Sequence, residues 1–241
     1  MEDRLKNIAL LIDADNVSPE GIDPVLTVLA ELGQVNIRRA YGNWASPGLS
    51  KWNKITNRFG LSPQQQFDLT KGKNATDMAM TIDAIDLLYQ GKVDGFGIMS
   101  SDSDFTPLVN RLRQDGLIVY VFGKPSTPDA LKTACTRFIE VSALIAAERD
   151  EKSTPEPRKG DEKALEVDSE LINLLGAAWK ASKRDKEGFA SLAELGKIAN
   201  NRSSFDARNY GYKRLSDLIE AAGDYFKVER RDDGVWVKRL R

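Results

Sequence analysis

The chain has 241 residues, 41% hydrophobic and 29% charged, with one Cys, no His and a net charge of −1. That is ordinary globular composition, with room for one large domain or two modest ones. One Cys rules out an internal disulfide and any multi-Cys metal site. Zero His removes imidazole bases, His-dependent triads and zinc sites built on His. Any catalysis then rests on carboxylates, Lys, Arg, Ser, Thr, Tyr or a metal held by oxygen. No run of about 18 apolar residues is present, so no membrane-spanning helix is expected. The opening six-residue apolar run ends in acids, unlike a secretory signal. The expected compartment is the reducing cytoplasm.

Charge divides the chain. Residues 1–148 carry 15 Lys and Arg against 18 Asp and Glu, residues 149–164 five of each, and residues 165–241 15 against 13. The middle segment lacks any large apolar residue and holds two Pro and a Gly, so it reads as a flexible linker between two domains.

In chain order, residues 7–12 (NIALLI) form an apolar run suited to a strand buried on both faces. Ser18 and Pro19 open an amphipathic helix to Leu32, and Gly33 stops it. Residues 35–41 read as a strand, 47–59 as a helix and 61–67 as a third strand. Residues 75–89 are helical, with Met78, Ile82, Ile85 and Leu88 on one face. A strand at 95–99, a helix at 105–115, a strand at 117–122, a short helix at 129–133 and an edge strand at 138–141 follow. Such alternation predicts an α/β fold, a parallel sheet with helices on both faces. Beyond the linker, helices are expected at 169–183, 191–200 and 213–222. Two alternating runs at 225–230 and 234–238 around Asp-Asp-Gly predict a hairpin. Three helices and a hairpin outline a winged helix.

Ligands of open α/β sheets sit beyond the carboxyl ends of the strands. Asp13 and Asp15 end the first strand, Asp102 and Asp104 follow the fourth, and Asp77 lies in the first turn of the helix after the third. Any one of them suits a helix cap, Asp104 and Asp15 above all. Acids arriving from three places at one sheet edge instead suggest a cluster whose mutual repulsion a divalent cation relieves. Oxygen donors suit Mg²⁺ or Mn²⁺, and such an ion activates water for attack on a phosphate.

The stretches LLIDADN, KNATDMAMTIDAIDLL and GIMSSDSDFTPLVNRLRQDGLIVYVFG resemble the NYN domain, a PIN-like nuclease family also called DUF88 or LabA-like, over about residues 5–145. The resemblance implies a PIN-like Rossmannoid fold and a metal-dependent ribonuclease. It carries over Asp13, Asp77, Asp102 and Asp104 as catalytic, metal-binding acids and Asn16 as the polar residue after the first acid. Ser101 stands where the family usually has Gly. The stretch SFDARNYGYKRLSDLIEAAGDYFKVERRDDGVWVK is similar to the OST-HTH or LOTUS domain, which implies RNA binding and, in some members, protein partners.

The residues themselves add candidates. Lys71 and Lys73 flank a Gly before Asp77 and suit a phosphate clamp, against a solvated loop as the plain alternative. Arg38 and Arg39 are weaker candidates, and Trp44 and Trp52 fit either stacking or core. Ser101 joins the substrate-binding set. In the second domain, Arg208, Tyr210, Lys213 and Arg214 suit RNA, basic groups for phosphates and a ring for a base, while Phe205 and Tyr212 favour the core. Two other functions compete with the ribonuclease. One is a haloacid-dehalogenase-like phosphohydrolase using Asp13, Asp15 and Lys124, although Asn16-Val17 replaces the usual Thr or Gly-Thr. The other is a non-catalytic RNA-binding adaptor. Oligomeric state stays open, a homodimer included.

Overall fold

The computed structural model describes residues 5–67, 74–152, 169–202 and 205–241. It divides into two compact units, Met1–Glu148 and Arg149–Arg241.

The first unit is built on β1 (Leu5–Asp13), β2 (Gly33–Gly42), β3 (Ser62–Gln65), β4 (Gly95–Met99), β5 (Ile118–Gly123) and β6 (Arg137–Glu140). All neighbours pair parallel, in the order β3-β2-β1-β4-β5-β6. The strand order reverses between β1 and β4, which is where such sheets open a crevice. Ile8 to Ile12 of β1 are fully buried. Their side chains alternate between two cores, Ala9 and Leu11 on one face, Ile8, Leu10 and Ile12 on the other. Each of the Ile and Leu side chains contributes about 1.5–3 kcal/mol by leaving water, so the apolar run is anchored at the centre of the sheet.

α3 (Ala75–Gln90) and α4 (Thr106–Gln114) cover the first face, with α5 (Asp129–Ala134) beside them. α1 (Ile22–Leu32), α2 (Trp52–Phe59) and α6 (Val141–Lys152) belong with the second. Ser18 and Pro19 open a single 3₁₀ turn ahead of α1, with the Ser18 hydroxyl accepting from the Glu20 amide at 3.4 Å. The helix expected over 47–59 is split the same way, a 3₁₀ turn at Pro47–Leu49 and then α2. Gly91 ends α3 at φ +63°, a conformation that glycine adopts without penalty.

Two expectations are corrected. α3 does not bury Met78 and Ile82, which are 60% and 55% exposed; it buries Thr76, Met80, Ala84 and Leu87. Polar tethers set this rotation. Asp83 accepts from Arg39 at 2.5 Å and from the Tyr41 hydroxyl, both on β2, and Thr76 donates to Asp15 at 2.9 Å. Ile85 and Leu88 of the expected face still pack on the core. The edge strand also stops at Glu140. Val141 begins α6, which seats Leu144 in the second core and runs to Lys152, inside the expected linker. Residues 153–164 of that linker lie outside the described residues.

The second unit contains α7 (Ser169–Ala181), β7 (Ala190–Ser191), α8 (Leu192–Arg202), a 3₁₀ turn at Ala207–Tyr210, α9 (Leu215–Ala221), β8 (Phe226–Arg231) and β9 (Gly234–Arg239). Three helices enclose Leu171, Leu175, Leu195, Ile219 and Phe226 against an antiparallel sheet in the order β7-β9-β8. Asp232 and Asp233 turn the hairpin into Gly234 at φ +138°. The unit has the outline of a winged helix. Among the described residues no helix is long and apolar enough to cross a membrane.

Candidate active site at the sheet switch point

The β1–β4 register pairs Ile12 with Met99, so the next residue on each strand, Asp13 and Ser100, emerge side by side at the crevice. Both are fully buried. Ser100 donates to Asp13 at 2.8 Å and accepts from the Asp102 amide at 3.1 Å, joining the two strand-end acids through one hydroxyl. Asp102 in turn accepts from the Asp104 amide at 2.9 Å, capping a 3₁₀ turn ahead of α4. The cap expected of Asp104 thus belongs to Asp102, and it engages one of its oxygens. Asp104 is exposed and accepts from Asn74 at 2.8 Å.

Asn16 is exposed and covers Asp13. Its amide nitrogen lies 3.1 and 3.0 Å from the two carboxylate oxygens, the side from which a cation would neutralise them. Asp15 is tied down by the Asn43 amide at 3.2 Å and by Thr76. Gly42 makes room for it, since a Cβ there would stand 3.0 Å from an Asp15 oxygen and 2.7 Å from Leu49.

The acids feel one another. Burial holds the Asp13 carboxyl above the ordinary range, opposed by the hydrogen bonds from Asn16 and Ser100 and reinforced by Asp15 and Asp102. Partial burial, then the charges of Asp13, Asp102, Asp104 and Asp15, push Asp77 up to about 6. Four carboxylates therefore act on Asp77 at the start of α3, from the ends of β1 and β4. Among the described residues, no three acids stand close enough to form a ready-made metal cage. Mg²⁺ does not need one, because it keeps several waters and is held by one or two carboxylates. The donors are hard oxygens, neighbouring acids raise Asp13 and Asp77, and Asn16 already places a donor on both oxygens of Asp13. This set fits a hydrated Mg²⁺ or Mn²⁺.

Ser101, in the position of the family glycine, accepts from the Lys124 amide at 2.9 Å and ties β4 to β5. No described non-glycine residue has a positive φ, so serine fits there without backbone strain. Lys71 and Lys73 lie outside the described residues. Arg38 and Arg39 are engaged structurally, Arg38 with the Val35 and Phe59 carbonyls at 3.0 and 2.9 Å and Arg39 with Asp83. Trp52 is buried, and Trp44 donates to the Gln64 carbonyl at 3.1 Å, so both are framework. The Cys135 thiol is buried and pushed up to about 12, which removes it from nucleophilic chemistry. Ser100 and Thr76 escaped the sequence reading. The one available signal, for Ser100, was a polar residue directly after an unbroken apolar strand.

In the second unit, Arg208 is paired with the buried Asp206 at 3.3 Å, which also accepts its amide. Tyr210 packs on the core, its ring 5.8 Å from that of the buried Phe205, and Tyr212 packs there too. Lys213 and Arg214 are exposed. A basic surface that the sequence reading missed lies on the hairpin. Lys227 and Lys238 sit opposite each other across β8 and β9, their ammonium groups 5.9 and 5.7 Å from the same Phe189 ring. Arg231, beside them, is held by Asp185 and Glu229, each at 2.6 Å.

Residues 162–238 match the OST-HTH/LOTUS domain. A curated relative, Uncharacterized protein MJ0482 of Methanocaldococcus jannaschii, is 28% identical over 149 residues, 59% of this chain; the chain spans 58% of that relative's length. Among solved structures, a protein of unknown function from Vibrio parahaemolyticus, VPA0982, is similar at 23% identity over 58% of this chain and 95% of its own, with a TM-score of 0.47. An uncharacterized protein from Nitrosomonas europaea, NE0665, is similar at 29% identity over 37% of this chain and 89% of its own, with a TM-score of 0.30. Residues 7–144, more than half of the chain, match the NYN domain, and the chain belongs to that nuclease-type, PIN-like family.

Proposed function

We propose that this chain is a metal-dependent ribonuclease that hydrolyses RNA phosphodiester bonds. On this reading residues 1–148 form the nuclease, 149–164 a flexible link, and 165–241 an RNA-binding module in the cytoplasm. The observation that carries it is the hydrogen-bonded chain Asp13–Ser100–Asp102 at the sheet switch point, with Asp77 raised by the charge of the same acids. Asp13, Asp77, Asp102 and Asp104 are the residues that would hold Mg²⁺ or Mn²⁺, and the bound ion would supply a Lewis acid and a water of lowered pKa.

The chain's own groups do the rest. Ser100 fixes one oxygen of Asp13 and the backbone of Asp102, so both acids are pre-oriented. Asn16 lies over Asp13 and is positioned to meet an incoming phosphate. Partial burial and then the neighbouring acids raise Asp77 to about 6, and relief of that repulsion by a cation would favour its ionised form. Lys71, Lys73 and Ser101 are proposed to meet the substrate backbone. In the second unit, exposed Lys213 and Arg214, with Arg208 and Tyr210 beside them, would hold RNA phosphates and a base. The Lys227–Lys238 pair adds an anion-seeking surface, since like charges opposed across a hairpin are unfavourable until an anion joins them.

A haloacid-dehalogenase-like reaction is disfavoured. It leaves Asp77, whose carboxyl is raised by the same acids, without a role, and Asp15, its proton donor, is tied to Thr76 and Asn43.

The test is cleavage of a labelled single-stranded RNA with Mg²⁺ or Mn²⁺ against EDTA, alongside Asp102→Asn, which keeps the capping geometry and removes the charge. Cleavage lost in EDTA and in the variant, with RNA binding retained, is the expected result. Equal cleavage with and without EDTA would sink the metal reading. Binding without cleavage under every condition would leave an RNA-binding adaptor.

A further inference from the structure

On the face of the sheet covered by α1 and α6, opposite α3, lies a cavity of about 180 Å³. Val17, Met99, Phe122, Val141 and Ile145 give it almost wholly apolar walls, and Ser101 and Lys124 are among the other lining residues. It is built from the loops that carry the acids. The Val17 amide donates to the Asp13 carbonyl at 3.1 Å, closing the turn that presents Asn16, and Ser101 directly precedes Asp102. Met99 and Phe122 are buried in the sheet beneath it, so its floor is rigid. Its outer wall is α6, the helix that begins where the last strand ends; Val141 packs so closely on Gly21 that a Cβ there would stand 2.3 Å from its methyl group.

We propose that this cavity receives one nucleobase of the RNA, that of the nucleotide whose phosphate lies at the acids; the inference rests on the ribonuclease reading. Three features select that occupant. The volume is below the roughly 300–1,000 Å³ of sites for drug-sized ligands and suits a single flat ring system. The walls are apolar, as the faces of a base require, and Lys124 among the lining residues supplies a cation for its charged backbone. The lining also adjoins the acids along the chain, Val17 following Asn16 and Ser101 preceding Asp102, and the exposed Lys124 is bonded through its amide to Ser101. Ser18, Ser101, Ser142 and Lys124 are the polar residues of the lining, without an amide or carboxylate side chain to read a base edge, so the cavity recognises the presence of a base more than its hydrogen-bonding edge. Little preference among the four bases follows.

The experiment measures binding to the full chain in Mg²⁺ by isothermal titration or NMR, comparing adenosine and uridine 5′-monophosphates with ribose 5-phosphate. The nucleotides should bind at least about tenfold more tightly. Ile145→Trp, which fills the cavity from its half-exposed outer wall, should remove that preference. Its melting temperature reports whether it folds, and Val141→Phe provides a second filling variant. Equal or unmeasurable binding of all three ligands to the wild type overturns the proposal, as does an unchanged preference in both folded variants. Base preference without any RNA cleavage supports the cavity and sinks the nuclease reading, whereas cleavage without base preference sinks the cavity alone.

Discussion

Replacing Asp77 by Asn should stabilise the metal-free protein at neutral pH and leave it unchanged at pH 4. The Asp77 carboxyl is raised from 3.8 to about 6, mainly by partial burial and then by Asp13 and Asp102. In a sealed site that displacement corresponds to about 3 kcal/mol. Asp77 is half-exposed, so solvent screening brings it to about 1 kcal/mol. The direction follows from linkage. The native state binds this proton more tightly than the unfolded chain does, so stability falls as pH rises from about 4 through 6 and stays low above. Asn has no such charge. The melting temperatures of wild type and Asp77→Asn in EDTA should therefore coincide near pH 4 and separate by about 3 °C at pH 8. Added NaCl should narrow the gap. Millimolar Mg²⁺ should reverse the order, because an ion bound to the native state stabilises only the protein that holds it well. A gap of the same size at pH 4 and pH 8, or an Asn variant less stable than wild type at pH 8 in EDTA, would refute the electrostatic account of the cluster.

Asp83→Ala should cost about 2 kcal/mol in urea unfolding, because it leaves the Tyr41 hydroxyl and the Arg39 guanidinium without their shared acceptor. A cost below about 0.5 kcal/mol would mean that the tether does not hold α3. Met80→Ala should cost about 2–5 kcal/mol and Ile82→Ala less than about 0.5, since the first is buried and the second exposed; the opposite order would put the helix on its other face. Lys227→Ala with Lys238→Ala should weaken RNA binding and make its salt dependence shallower by about two phosphate contacts, while Lys213→Ala with Arg214→Ala tests the turn surface in the same assay. Unchanged affinity and slope in both double variants would remove RNA from the second unit.

The fold was readable where one physical demand dominated. Residues 8–12 are apolar without interruption because both faces of β1 are covered, and the all-parallel order follows from helices between strands. Reading failed where a polar contact across the sequence outweighed local hydrophobicity. The α3 stripe Met78–Ile82–Ile85 has a convincing helical period, yet the helix turns Met78 and Ile82 to solvent so that Asp83 and Thr76 can reach β2 and Asp15. Arg38 and Arg39 looked available because their partners, Phe59 and Asp83, lie 21 and 44 residues away.

The candidate site divides in the same way. Its acids were legible because a carboxylate at a strand end is locally conspicuous, and the sheet order then brings the ends of β1 and β4 together. The groups that organise them were not, because a serine acquires its role only from what stands opposite. Ser100 becomes a bridge because Ile12–Met99 pairing sets it beside Asp13. Ser101, one residue on, faces the other way and binds the Lys124 amide. Two adjacent serines with identical chemistry thus serve different ends, one orienting the acids and the other joining strands beside the cavity. Ser100→Ala should accordingly weaken metal-dependent cleavage more than Ser101→Ala does. It leaves the buried Asp13 with one fewer donor and the Asp102 amide without its acceptor, whereas Ser101→Ala removes the bond to the Lys124 amide and one proposed contact to the substrate backbone, and leaves the acids oriented. Equal cleavage by the two variants would mean that the Asp13–Ser100–Asp102 connection has no part in the chemistry.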